Sequence, residues 1–302
     1  MGLLQETCDA IHSRSKEIEQ HIIKNWNDAS DSKQYGRLVN MVAQYGAATN
    51  QKNVTIPKPC MIIASADHGV ADMGVSAYPK ETTVGMTQNY LIPKGAGANS
   101  LANYCGAHME VIDMGIDADM SWVPGLRSHK LGMGTKNFVE EPAMTREQAI
   151  EGIETGIKLV QEKMADGYNV FLVGEMGISN TTASALMTAK FAGLTAEEAT
   201  GRGTNISDER LKLKQRIVHD VLVKYKDIPK DDAIGILAAV GGFEFTCIVG
   251  VILGAAAHHG MVIIDGFNTS ACALVAKTLV PASMDYVMAS HLSAEKAAKS
   301  SL

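Results

Sequence analysis

Val170-Phe171-Leu172-Val173-Gly174-Glu175-Met176-Gly177-Ile178-Ser179-Asn180-Thr181-Thr182 is the stretch that decides how this chain folds. It starts with four apolar residues that read as a strand buried on both faces, and the Gly, Ser, Asn and Thr that follow read as its handover to a helix. Working outward, the pattern recurs. Apolar runs at 60–64, 109–112 and 261–264 also run into Gly, Asp or Glu and alternate with longer helical patterns, and a further run at 286–289 lies near the C-terminus. Such alternation predicts an α/β fold with a mostly parallel sheet and helices on both faces.

Upstream, Leu4, Ile11, Ile18, Ile22 and Trp26 fall at helical spacing among polar residues. The chain therefore divides into a helical N-terminal segment over 1–55, part of a small subdomain, and an α/β domain over 56–302. Thr145 and Gln148 have capping-box spacing and open a helix over 146–164 that Gly167 stops. Ser207 caps a second helix over 208–225, with Pro229 beyond its end. The longest apolar stretch, 245–257, is shorter than the roughly 20 residues that span a bilayer and reads as a buried helix.

With 302 residues, 46% of them hydrophobic, and a net charge of −6, the chain has globular composition and no basic excess that would suit nucleic acid. Its five cysteines are an odd, scattered set without C-x-x-C, which argues against a disulfide framework and a zinc site. Glu6, Asp9, Arg14, Lys16 and Glu17 replace the apolar core of a secretory signal, and Glu6 stands where a myristoylation motif wants Ser or Thr. The expectation is a cytoplasmic protein with no membrane and no nucleic-acid partner.

Ligands of open α/β sheets bind beyond the carboxyl ends of the strands, so the residues after each apolar run are candidates. Four such loops stand out: Asp67-His68-Gly69, the 174–182 loop, Asp265-Gly266-Phe267-Asn268-Thr269-Ser270, and Ser290 to Glu295. The second and third combine Gly with hydroxyl and amide residues at a helix start, as does Gly201-Arg202-Gly203-Thr204-Asn205, and free backbone N–H groups there suit a phosphate. Lys214 would add a point charge. The 261–270 stretch partly resembles the 5′-phosphate loop of many phosphoribosyltransferases, yet carries one acid, Asp265, where donors bearing diphosphate usually need two for Mg²⁺. That points to a ribosyl donor already activated by its ring, with no metal and no cofactor. Glu295, a lone carboxylate after 286–289, is the expected proton acceptor, and a single base suits a leaving group that needs no protonation.

Other patterns carry less. Gly95-Ala96-Gly97-Ala98-Asn99-Ser100 lacks the third Gly of a dinucleotide fingerprint and follows no strand. His258-His259 close a predicted helix, where imidazoles meet the carboxyl-end dipole. The 16 methionines read as core filling.

In order, A-D-H-G-V at 66–70, G-V-S-A-Y-P at 74–79, G-E-M-G-I-S-N-T-T at 174–182, G-R-G-T at 201–204, V-G-G-F-E at 240–244, D-G-F at 265–267 and S-H-L-S-A-E at 290–295 resemble the nicotinate-nucleotide:dimethylbenzimidazole phosphoribosyltransferase family. The resemblance implies a Rossmann-like parallel sheet, a smaller helical domain and a homodimer. It also implies transfer of phosphoribose from nicotinate mononucleotide to a lower-ligand base such as 5,6-dimethylbenzimidazole, giving α-ribazole 5′-phosphate and nicotinate. Glu295 matches the family's catalytic glutamate. Glu175, Gly177, Ile178, Gly203 and Lys214 would surround the nucleotide, with Gly266, Thr269 and Ser270 nearby. Ser76, Tyr78, Gly85 and Leu292 would form the acceptor-base pocket.

The chain departs from the family pattern in three ways. Gly85 stands where many members carry Gln, Ser179 and Asn205 stand where Gly is usual, and the chain ends soon after Glu295, where members continue with a further helical segment. These departures keep in play relatives that activate phenolic bases as a pair of homologous, unequal chains, a non-catalytic partner chain, and a nucleotide-binding protein without turnover. Retention of Glu295 favours the enzyme.

Overall fold

A computed structural model describes residues 2–30 and 32–301. Six strands form one sheet: β1 (Pro59–Ala66), β2 (His108–Gly115), β3 (Leu126–Ser128), β4 (Val170–Met176), β5 (Met261–Ile264) and β6 (Val287–Ala289), in the order β3-β2-β1-β4-β5-β6. Every neighbouring pair is parallel. This is the strand order of the doubly wound dinucleotide-binding fold, in which the reversal between β1 and β4 opens a crevice beyond their carboxyl ends. The expected Rossmann-like sheet is therefore present. The short edge strand β3 had no apolar run to announce it: it is Leu-Arg-Ser, only partly buried.

Thirteen helices lie among the described residues: α1 (Leu3–Ala10), α2 (Lys16–Ala29), α3 (Leu38–Ala48), α4 (Thr82–Leu91), α5 (Gly97–Cys105), α6 (Arg146–Ala165), α7 (Asn180–Ala192), α8 (Ala196–Ala199), α9 (Asp208–Lys224), α10 (Ala233–Val240), α11 (Phe243–Ala257), α12 (Phe267–Leu279) and α13 (Ala298–Ser301). The period-2 alternation of the strands sorts them between two layers. Cys60, Ile62, Ala64, Ile112 and Met114 join the main core with α6, α11 and α12, whereas Ile63 and Val111 pack with Tyr90 and Ala96 under α4 and α5. The 245–257 stretch, apolar but for Thr246, is the body of α11, every residue of which but the last is buried. It lies close against α6: a Cβ at Gly156 would come within 2.1 Å of the Cys247 carbonyl oxygen, so only glycine permits the approach.

Local signals are realised at the helix ends. Thr145 and Gln148 make both bonds of a capping box, and Ser207 Oγ accepts from Arg210 N–H at the start of α9. The helical lead-in is α1 to α3. Ile18, Ile22, Ala43 and Ala47 form a small core between α2 and α3, while Ile11, Tyr45 and Ala48 belong to the main core. Among the described residues, no helix is long and apolar enough to cross a membrane.

Candidate active site

Glu175 is the penultimate residue of β4, at the switch point. Its carboxylate accepts from Asn268 Nδ2 of α12 (2.9 Å) and from Asn180 Nδ2 of α7, and the two amides are joined to each other at 3.0 Å. Ser184 Oγ donates to Asn268 Oδ1 (2.7 Å), which fixes that amide with its N–H groups toward Glu175. Burial raises the Glu175 carboxyl to about 7, and the charges of Glu244 and Asp265 add to it against the pull of the two amides. Glu175 also borders a cavity of about 460 Å³ walled by Met61, Ile63, Tyr90, Leu172 and Ile263, with Asp265 and Ser290 at its rim.

Next in sequence, Gly177 has no room for a side chain: a Cβ would lie 2.5 Å from the Ala66 carbonyl oxygen. Ile178 is buried and its N–H donates to Thr83 Oγ1 of α4 at 3.2 Å. Ser179 then adopts φ +77°. Asn205 likewise has φ +61°, so both positions at which the resemblance led glycine to be expected lie in the left-handed region that glycine occupies without strain.

A second group of the expected residues meets around the 201–205 loop. Lys214 of α9 is buried and donates to Thr181 Oγ1 at 2.8 Å. Burial lowers its ammonium to about 8, with the charge of Glu295 acting the other way. Glu295 is partly buried; its Oε1 accepts from Gly203 N–H at 2.9 Å, and a Cβ at Gly201 would overlap its Oε2 at 1.8 Å. Gly203 has φ +54°, and a Cβ there would sit 2.8 Å from Thr181 Oγ1. Lys214, Thr181 and Gly203 thus converge beside the N-terminus of α7, with the Gly203 N–H already given to Glu295. Glu295 borders a different cavity from Glu175, of about 410 Å³, shared with Thr200, Arg202 and Gln215.

Gly266 caps α12, and its carbonyl oxygen accepts from Thr269 Oγ1 (3.1 Å) and Ser270 Oγ (2.8 Å), so these hydroxyls are turned to the backbone. The four acceptor-pocket residues are not gathered in one enclosure. Ser76 and Tyr78 sit beside the 201–205 loop, with Ala77 N–H donating to Thr204 Oγ1 at 3.1 Å and Tyr78 56% exposed. Gly85 is exposed on α4 with no atom within 4 Å of its Cβ position, and Leu292 is 59% exposed.

Sequence reasoning assigned no role to a buried pair under the site. His68 Nε2 and Glu244 Oε1 are 2.7 Å apart and both side chains are fully buried. Both stand in the quoted motifs, but their pairing across 176 residues leaves no local signal. Asn180 and Asn268, which hold Glu175, were passed over in the same way. Among the described residues, no group of three or more His, Cys, Asp or Glu is placed to hold a metal ion.

Fold and site together define an α/β protein with a carboxylate held at the switch point of a parallel sheet. The profile of a family described as Phosphoribosyltransferase matches residues 11–302. The nicotinate-nucleotide–dimethylbenzimidazole phosphoribosyltransferase of Chloroflexus aggregans is 43% identical over 261 residues, 86% of this chain and 73% of that protein. Its counterpart in Geobacter metallireducens is 44% identical over 260 residues, with the same coverage. The crystal structure of CobT from Thermus thermophilus superposes with a TM-score of 0.89 at 32% identity, covering 95% of this chain and 85% of that one. The chain belongs to the nicotinate-nucleotide–dimethylbenzimidazole phosphoribosyltransferase family.

Proposed function

We propose that this chain transfers phosphoribose from nicotinate mononucleotide to 5,6-dimethylbenzimidazole or a related base, releasing nicotinate and α-ribazole 5′-phosphate. The observation that carries the reading, in a chain of this family, is a carboxylate raised to about 7 at the β1/β4 switch point of a fold that also offers a lysine- and glycine-lined anion seat. The 5′-phosphate takes the seat formed by Lys214, Thr181 and the N-terminus of α7. The bond from C1′ to the pyridinium nitrogen breaks with its electron pair passing to nicotinate, so no general acid is needed. One ring nitrogen of the acceptor forms the new bond from the opposite face, inverting C1′, and the proton on its other nitrogen passes to a carboxylate.

That carboxylate is assigned to Glu175. Glu295, the acceptor expected from sequence, has its carboxylate engaged by the Gly203 backbone and lies against Gly201. It is better suited to hold the 201–205 loop than to receive a proton. Glu175 has the proton affinity that general-base work near neutral pH requires. The apolar walls of the adjoining cavity suit a flat ring.

The protein is further proposed to act in the cytoplasm as a homodimer. Leu101 (65% exposed) and Tyr104 (90% exposed) on α5 offer apolar surface for a second copy, and light scattering should return twice the 32.2 kDa chain mass. The function is tested by incubating the protein with nicotinate mononucleotide and a panel of benzimidazoles, adenine and phenols, then separating the products. Acceptor-dependent nicotinate and an α-ribotide are expected. Nicotinate released at the same rate without acceptor contradicts transfer, and turnover with phenols alone reassigns the acceptor.

A further inference from the structure

We propose that His68 and Glu244 act as a buried positioning pair, which holds the Gly177–Ile178 turn, and with it Glu175, against the end of β1. The proposal rests on the transferase reading above. His68 follows Asp67 at the end of β1, and Glu244 lies in the first turn of α11. Both are fully buried at 2.7 Å, and the remaining polar atom of each, His68 Nδ1 and Glu244 Oε2, has no hydrogen-bond partner. Burying such a pair is costly, and stability alone is a weak reason to keep it.

Two backbone segments close on the pair. A Cβ at Gly177 would lie 3.2 Å from both Glu244 Oε1 and His68 Cδ2, and a Cβ at Gly242 would lie 2.5 Å from Glu244 Oε2 and from His68 Cε1. Gly177 belongs to the turn that follows Glu175, so the pair sets how closely that turn approaches β1. The groups around it are few. His68 meets Asp67 of its own strand end, Glu175 of β4, and Glu244 and the Phe245 ring of α11. Glu175 meets Glu244, Asp265 beyond β5, Asn180 of α7 and Asn268 of α12, and its charge is felt by the Tyr90 hydroxyl of α4 and the Cys272 thiol of α12. Among these, Glu244 exerts the largest charge effect on Glu175, and it disfavours the ionised form. For His68, burial opposes protonation, but the charge and hydrogen bond of Glu244 outweigh it and raise the imidazole above its ordinary value.

The test is Glu244→Gln, which keeps the shape and removes the charge. With the ion pair lost, kcat should fall by about tenfold while KM for nicotinate mononucleotide stays within about twofold, because Glu175 is displaced and the phosphate contacts are not. A variant that folds and keeps the wild-type kcat overturns the proposal. Should the variant not fold, ¹⁵N spectra of the wild-type histidines decide. The ring protected from solvent exchange is expected to stay doubly protonated to higher pH than the exposed rings, and a protected ring that loses its proton before them overturns the proposal. Failure of the wild type to release nicotinate would instead defeat the transferase reading, and the spectra are independent of it.

Discussion

The end of β4 and the segment beyond β6 each present one carboxylate, and they are held in opposite ways. Glu175 is fixed by side-chain amides from two helices, inside the sheet's own crevice, where burial raises its proton affinity to about 7. Glu295 is fixed by a backbone N–H of a glycine loop and lies against the bare Cα of Gly201, next to a lysine. On the proposed reading, the first arrangement keeps a carboxylate poised to exchange a proton. The second ties the C-terminal segment to the 201–205 loop.

Exchanging the two residues' fates is the sharpest way to break this contrast. Glu175→Gln should lower kcat by about 10² to 10⁴, with KM for nicotinate mononucleotide little changed, since a general base is lost and the phosphate seat is not. Glu295→Gln should lower kcat far less. If the ranking reverses, Glu295 is the base, as its motif position alone suggested.

Much of the fold was legible because it is written in local patterns. Four apolar runs became β1, β2, β4 and β5, because strands buried on both faces need uninterrupted apolar sequence, and the run at 286–289 became β6, an edge strand that is only partly buried. Thr145, Gln148 and Ser207 announced their helices because capping bonds span only three residues. Glu175, Gly203 and Lys214 could be named from the motifs of the family. That Glu175 and Glu295 border separate cavities could not, and neither could the His68–Glu244 pair or the Asn180–Asn268 clamp, since each depends on side chains brought together by strand order rather than by spacing. The proton affinity of Glu175 was equally hidden, because it is set by burial.

Lys214→Met comes next in expected size. Losing a charge-assisted contact to the phosphate should raise KM for nicotinate mononucleotide by about 10- to 100-fold in steady-state kinetics, while the free energy of folding is held by the apolar replacement. A change confined to kcat would place the phosphate elsewhere. For Glu295→Gln, a weakened tie should raise the same KM by about tenfold, corresponding to one hydrogen bond to a charged group.

The pH dependence separates the two regions without mutation. Glu175 must be ionised to accept a proton, so kcat/KM should rise with pH through about 7. Lys214 must be charged to hold phosphate, so kcat/KM should fall as pH passes about 8. A narrow bell is expected, and Lys214→Met should remove its alkaline side alone. The smallest effect concerns the backbone: Ser179→Gly, at φ +77°, should stabilise the protein by about 1 kcal/mol, read as a higher Tm. Asn205→Gly should do less, because asparagine tolerates the left-handed region better.

The most direct test is to titrate Glu175 itself, following the carboxyl carbons of ¹³C-glutamate-labelled protein by NMR and assigning the resonance that Glu175→Gln removes. A midpoint near 7 is expected. A midpoint in the ordinary range for glutamate, about 4 to 5, would contradict the assignment of the proton-accepting carboxylate to the switch point.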